Sequence, residues 1–257
     1  MIAFVIPLRS KAVSKNWERV SQQCLRTIGS LLQQTASDYK IFLVCNEPPE
    51  GLRAQERVIV ISRDFPIPEN KPRRRHFDKL CKMCHGLVEA RRLQPTHYMI
   101  VDADDCVSRR LAEFVKENSS APGWYVDKGW IYHEHSRWIQ WQRRNFHRVC
   151  GTSVIAPFDL ERLPKRLDED FNLYRPHVEH NRIVDTWTVV GKTLHPLPFA
   201  GAVYILGTGE NLSGETLGSR QRSSSWKRLI KSALWSRPLT SQLSVEFGLS
   251  EILSTTD

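Results

Sequence analysis

The chain has no apolar run approaching the length of a bilayer span, and its first strand-like segment, Ile2 to Leu8, lacks the charged start and the length of a signal peptide. Both absences argue against a spanning or exported chain and lead to the expectation of a cytoplasmic protein. Acid is also in short supply. The 28 Asp and Glu face 37 Lys and Arg, a net charge of +9, which favours anionic partners such as nucleotides, nucleic acid or acidic membrane surfaces. A second ligand pair at zinc spacing is missing, so a zinc site at Cys81-Lys-Met-Cys84-His85 is not expected. The same run matches a c-type haem attachment pattern, but that chemistry requires export, and the segment reads as mid-helix. The six cysteines lie mostly in apolar segments, where reduced cysteine acts as a small hydrophobe, and disulfides are not expected. No internal repeat is visible.

What is present is ordinary globular material: 257 residues, 40% hydrophobic and 25% charged, enough for a full α/β core. Ile2 to Ile6 reads as a strand stopped by Pro7. Trp17 to Gln34 places Val20, Cys24, Ile28, Leu31 and Leu32 at helical spacing. Ile41 to Cys45 and Val58 to Ile61 read as buried strands, Lys71 to Arg75 as a basic loop, and Phe77 to Arg92 as a helix. His97 to Val101 is a strand that runs directly into Asp102-Ala-Asp-Asp105. The alternation predicts an α/β fold with a mostly parallel central sheet. Further on, Trp124 to Trp141 suggests a hairpin or ribbon, Arg148 to Ala156 a strand, Val178 to Val190 a helix, and Thr193 to Leu197 and Val203 to Leu206 two strands. The layout divides into a domain over 1–218, with a nucleotide-binding half (1–120) and an acceptor half (121–218), and a basic tail over 219–257. Within that tail, Trp226 to Trp235 is amphipathic: either a surface anchor with peripheral contact at the inner face of a membrane, or a face packed on the domain.

Acids delivered by a strand to its carboxyl end lie where open α/β sheets bind ligands. Hard cations such as Mn²⁺ or Mg²⁺ take carboxylate and phosphate oxygens, and a cation would offset the charge that grows on a leaving diphosphate. Asp102 and Asp104, two apart, are the candidate metal ligands, while Asp105 orients the turn or reaches the sugar. The plainer account is that these acids cap the next helix.

Phe4-Val-Ile-Pro7, Leu43-Val-Cys-Asn46 and Tyr98-Met-Ile-Val-Asp-Ala-Asp-Asp105 resemble the family-two inverting glycosyltransferases of GT-A fold over about the first two-thirds of the chain. That resemblance implies a three-layer α/β/α sandwich and transfer of a sugar from a nucleotide-diphosphate donor to an acceptor hydroxyl, with inversion. It places Pro7, Arg9, Asn46 and Glu47 in the nucleotide pocket, Asp102 near ribose with Ala103 beside it, and Asp104 on the metal. Two departures stand out. Asn46-Glu47 replaces the family's acidic Asp-Gly-Ser turn, and Glu179-His180 stands where the family has a Glu-Asp pair whose Asp is the general base. Either residue can deprotonate an acceptor hydroxyl: His180 near neutral pH, Glu179 if burial raises it. A first-turn Glu and a surface His are the plainer account. Asp168, Glu169 and Asp170 are further candidates for the base, with a solvated charged loop as the plainer account.

Lys79 and Lys82, with Arg73 to Arg75, are candidate diphosphate contacts, or simply a solvated basic face. Gly207-Thr-Gly-Glu-Asn211 resembles a loop after the last strand in some bacterial relatives. The expected partners are the sugar donor and a glycan, lipid or protein acceptor, not nucleic acid, since no module signature accompanies the charge. The rival readings are a sugar-nucleotide-binding protein without activity and a phosphatase-like Asp-x-Asp hydrolase.

Overall fold

A computed structural model of the chain describes residues 1–69, 71–209 and 235–250. Its centre is made by short, largely apolar β-rich runs. Strand β1 (Ile2–Pro7) is buried along its whole length, between β2 (Tyr39–Cys45) and β4 (His97–Ile100), and β3 (Val58–Ser62) lies outside β2. All three pairings are parallel, with Ile2 opposite Tyr39 and His97. Beyond β4 the sheet turns mixed: β9 (Val154–Pro157) runs antiparallel to both β4 and β6 (Trp124–Tyr125), and β10 (His195–Pro196) closes the edge parallel to β6. The chain is thus a mixed α/β protein with a mostly parallel seven-stranded sheet, as its strand–helix alternation predicts.

Because successive strand residues point to opposite faces, β1 feeds two cores. Ile2, Phe4 and Ile6 pack with helix α1 (Trp17–Leu32) and helix α3 (Leu111–Glu117), whereas Ala3 and Val5 pack with α2 (Pro72–Ala90) and α5 (His180–Val189), which follows the short α4 (Arg175–Val178). Helix α1 starts where Asn16 Oδ1 accepts the N–H of Arg19 at 2.9 Å, a side-chain cap for a donor with no intrahelical partner. Its stripe Val20, Cys24, Ile28 and Leu31 is buried at helical spacing.

Helix α2 begins earlier than the sequence predicts. Lys71 is its N-cap and Pro72 opens the first turn, so the expected basic loop Lys71 to Arg75 is that turn. Proline suits this position because its missing N–H would have had no partner there.

The aromatic segment does form a hairpin, β7 (Gly129–His133) with β8 (Trp138–Gln142), but it belongs to a second, five-stranded sheet. That sheet is completed by β5 (Cys106–Val107), β11 (Ala202–Leu206) and β12 (Ser236–Pro238). The segment expected to be a separate tail therefore contributes to the fold: β12 pairs antiparallel with β8, and α6 (Ser241–Phe247) buries Phe247 against Trp130, Tyr132 and Ile205. Glu246 also accepts from Ser108 Oγ at 2.5 Å and Arg110 Nε at 2.9 Å. The rest of that tail, including nearly all of the amphipathic stretch 226–235, lies outside the described residues. Among the described residues no helix is long and apolar enough to cross a membrane.

Candidate functional site

Parallel strands bring their carboxyl ends to one edge, and the β1, β2 and β4 ends carry Pro7 and Arg9, Asn46 and Glu47, and Asp102 to Asp105 respectively. The residues singled out from sequence in three separate segments thus share one edge of the sheet. Two of them brace it. Glu47 Oε1 accepts the backbone N–H of Lys11 at 2.7 Å and the hydroxyl of Ser10 at 3.3 Å, tying the loop after β2 to the loop after β1. Asn46 Nδ2 donates to the carbonyl of Phe65 at 2.7 Å, while the Asn46 backbone carbonyl accepts from Ser62 Oγ. Arg9 is half-buried and lies close enough to α2 to act on the charge of Asp78.

The acidic turn is held by a relay that the sequence did not reveal. Thr152 Oγ1 accepts the N–H of Asp102 at 2.8 Å and donates to Asp105 Oδ2 at 2.7 Å. Asp105 is fully buried, and it also accepts from Cys150 Sγ at 3.3 Å and from the N–H of Ile205 at 3.1 Å. Its carboxyl is pushed well above the ordinary range, by burial first and then by Asp104 and Asp102. This acid was expected to orient the turn or reach the sugar; its bonds put it to the first use, as the pin joining the turn to β11.

Asp102 and Asp104 are only partly buried, as is Ala103 between them. Asp102 Oδ1 receives the ammonium of Lys79 at 2.5 Å. On its other side Asp102 Oδ2 lies against Gly151, where an added Cβ would stand well inside van der Waals contact with that oxygen. Only a residue without a side chain leaves room for that carboxylate. Asp104 is raised to about 6 by burial and then by Asp102, against the pull of Lys79 and Arg26. Lys79 itself is held above its ordinary value: burial opposes its charge, but Asp102, Asp104 and Asp105 together outweigh it.

His180 opens α5, within electrostatic reach of Asp102, Lys79, Glu179 and His147. Burial is the largest influence and lowers it, so the ring is neutral at pH 7 and has a nitrogen free to accept a proton. Glu179, beside it, is engaged differently: Arg175 stands 2.8 Å and Arg182 3.7 Å from its oxygens. Lys82, expected near a diphosphate, is fully buried, with its ammonium 3.0 Å from Asp78 and 5.4 Å from the centre of the Phe65 ring.

Across the acidic turn, Arg19 and Arg26 of α1 clasp Glu134 at 2.6 and 3.0 Å. Arg19 also donates to the carbonyl of Gly207, where the chain bends with φ of +80°. The glycine-bearing loop expected after the last strand therefore meets this cluster, although its residues 210 and 211 lie outside the described residues. Two surface depressions, at the start of α2 and between α3 and α6, are lined by neither Asp102 nor Asp104.

What these residues define is an α/β protein with an acidic turn, a lysine and a neutral histidine at the carboxyl edge of its parallel strands. Neither a comparison with protein-family models nor a search of curated proteins finds a match for the chain.

Proposed function

We propose that the chain is a glycosyltransferase of GT-A type, akin to the inverting family two, that moves a sugar from a nucleotide-diphosphate donor to an acceptor hydroxyl on a glycan, lipid or protein. The observation that carries this reading is the gathering of Asp102, Asp104, Lys79 and His180 at one sheet edge, beside the β1 and β2 ends that hold Pro7, Arg9, Asn46 and Glu47. That edge is where an open α/β sheet accepts a nucleotide.

Asp102 and Asp104 are the residues that would hold Mn²⁺ or Mg²⁺, since both offer hard oxygens and leave substrate phosphates to complete the shell. A cation bound there supplies neutralisation of the charge growing on the leaving diphosphate. In the transfer, the acceptor oxygen bonds to the anomeric carbon as the bond from that carbon to the phosphate oxygen breaks. The electron pair leaves with the phosphate and the acceptor proton passes to His180. A single displacement of this kind inverts the anomeric centre. Glu179, bound by two arginines, and Asp105, sealed in the core, are positioning residues in this scheme.

The test is a panel of UDP-, GDP- and dTDP-sugars, with and without Mn²⁺, on the native chain and Asp104→Ala. At least one donor is expected to bind and turn over, with the variant slower by about 100-fold, the usual cost of losing a charge-stabilising group. Binding of no donor sinks the proposal. Binding without transfer or hydrolysis makes the chain a sugar-nucleotide-binding protein, and phosphate release from simple monoesters makes it an Asp-x-Asp hydrolase.

A further inference from the structure

Three carboxyl groups on one turn cannot share a poorly solvated edge without hydrogen-bond donors or positive charge beside them. Asp105 meets this demand with neutral donors, from Thr152, Cys150 and Ile205. Asp102 meets it with Lys79. The contact is 2.5 Å, and the two side chains are 29% and 22% exposed, so the pair is neither sealed in the core nor loose on the surface. The geometry leaves Asp102 little choice of orientation, since Oδ1 faces the ammonium and Oδ2 rests against Gly151.

A dication arriving alone at Asp102 would meet a unit positive charge already on that carboxylate. Like charges at such separations repel strongly near a protein surface, and a dication feels twice the repulsion of a single charge. The opposition is relieved if Lys79 has another anion to go to, and a diphosphate is such an anion. Lysine suits this exchange because its ammonium is a point charge on a flexible four-carbon stem, without the fixed fork of arginine. Lys82, one turn further along α2, is unsuited, because it is fully buried and bound to Asp78.

We propose that Lys79 is an exchangeable counter-ion: its ammonium occupies Asp102 Oδ1 until a diphosphate draws it away, so that cation and diphosphate load together and each tightens the other. This rests on the glycosyltransferase reading and states what loading of that site requires. The coupling is reciprocal, as any such linkage must be.

The test counts free Mn²⁺ by electron paramagnetic resonance, corrected for its complex with pyrophosphate, against the native chain, Lys79→Met and Lys79→Arg. Inorganic pyrophosphate serves as the anion. In the native chain saturating pyrophosphate is expected to tighten Mn²⁺ binding at least tenfold. Lys79→Met is expected to bind Mn²⁺ alone at least tenfold more tightly than native and to gain less from pyrophosphate, while Lys79→Arg keeps a cation on Asp102 and binds Mn²⁺ alone as weakly as native. Circular dichroism confirms that each variant is folded. Mn²⁺ binding by Lys79→Met no tighter than by native overturns the counter-ion role and leaves the sugar-nucleotide reading standing. No Mn²⁺ bound by any of the three, with or without pyrophosphate, overturns the inference and removes the metal as well; failure of the donor panel is a separate result that removes the glycosyltransferase reading.

Discussion

Thr152 donates its hydroxyl hydrogen to Asp105 at 2.7 Å, and the same oxygen takes the N–H of Asp102 at 2.8 Å. One side chain thus couples the exposed end of the acidic turn to its buried anchor. Thr152→Val preserves shape but removes both bonds, leaving an orphaned N–H and a buried carboxyl short of a donor. Each such loss costs about 1–3 kcal/mol. Denaturant unfolding should show a destabilisation of about 2–4 kcal/mol for the valine variant and less than about 1 kcal/mol for Thr152→Ser, which keeps the hydroxyl. Equal stability of valine and native proteins would refute the relay.

Gly151→Ala tests the other support of Asp102. The backbone at Gly151 is not in the left-handed region, so the substitution strains no dihedral; the added methyl simply meets the Asp102 carboxylate. The carboxylate must turn or shift to admit it. We expect donor binding in the sugar-nucleotide panel to fall at least tenfold while the melting temperature moves by only a few degrees. Unchanged binding would mean that the orientation of Asp102 is immaterial.

Much of this site is readable from sequence because strand periodicity fixes where a β-rich run ends. β1, β2 and β4 were each visible as apolar runs, and their ends place Arg9, Asn46 and Asp102 at one edge. The partners were not readable. Gly151 and Thr152 lie about fifty residues from Asp102, in a segment whose strand was expected from Arg148 but starts only at Val154. Nothing local marks a threonine as a relay or a glycine as a cradle. The basic first turn of α2 was read as a loop because clustered arginines obscure apolar periodicity, although Pro72 was a start signal. The second sheet was missed for a related reason: β5 and β12 are short, β11 was visible only as a lone strand, and all three join β7 and β8 from distant parts of the chain, a pairing that leaves no periodic trace.

The raised Asp104 makes stability depend on pH. An acid whose folded-state value lies above its unfolded one favours the fold while protonated, and that contribution is lost as pH rises through the folded value. For Asp104 the window runs from the ordinary 3.8 to about 6. Asp104→Asn keeps a neutral group throughout. Its stability relative to native should therefore climb across that window by on the order of 2 kcal/mol, somewhat less than the full linkage because the side chain is partly solvated. Parallel stability curves for the two proteins between pH 4 and pH 7 would show that Asp104 is not held up.

His180 and Glu179 are neighbours with opposite circumstances, and their variants should separate. Glu179 is engaged by Arg175 and Arg182 at the surface, so Glu179→Gln should cost about 0.5–1 kcal/mol of stability and change kcat by no more than a few-fold. His180 is held neutral by burial. As the proton acceptor it works only while deprotonated, and because its value is lowered that state persists to below pH 6.5, so its loss limits the rate only in the acid range. Asp104, titrating near 6 in the free protein, adds to the same acid limb, which makes the limb alone ambiguous. The variants resolve it. His180→Gln should lower kcat by about 10²–10⁴-fold with donor binding intact, whereas Asp104→Asn should weaken donor binding. A His180→Gln protein that retains native kcat across pH 6 to 8 would remove histidine from the chemistry and leave the acceptor to be deprotonated by another group.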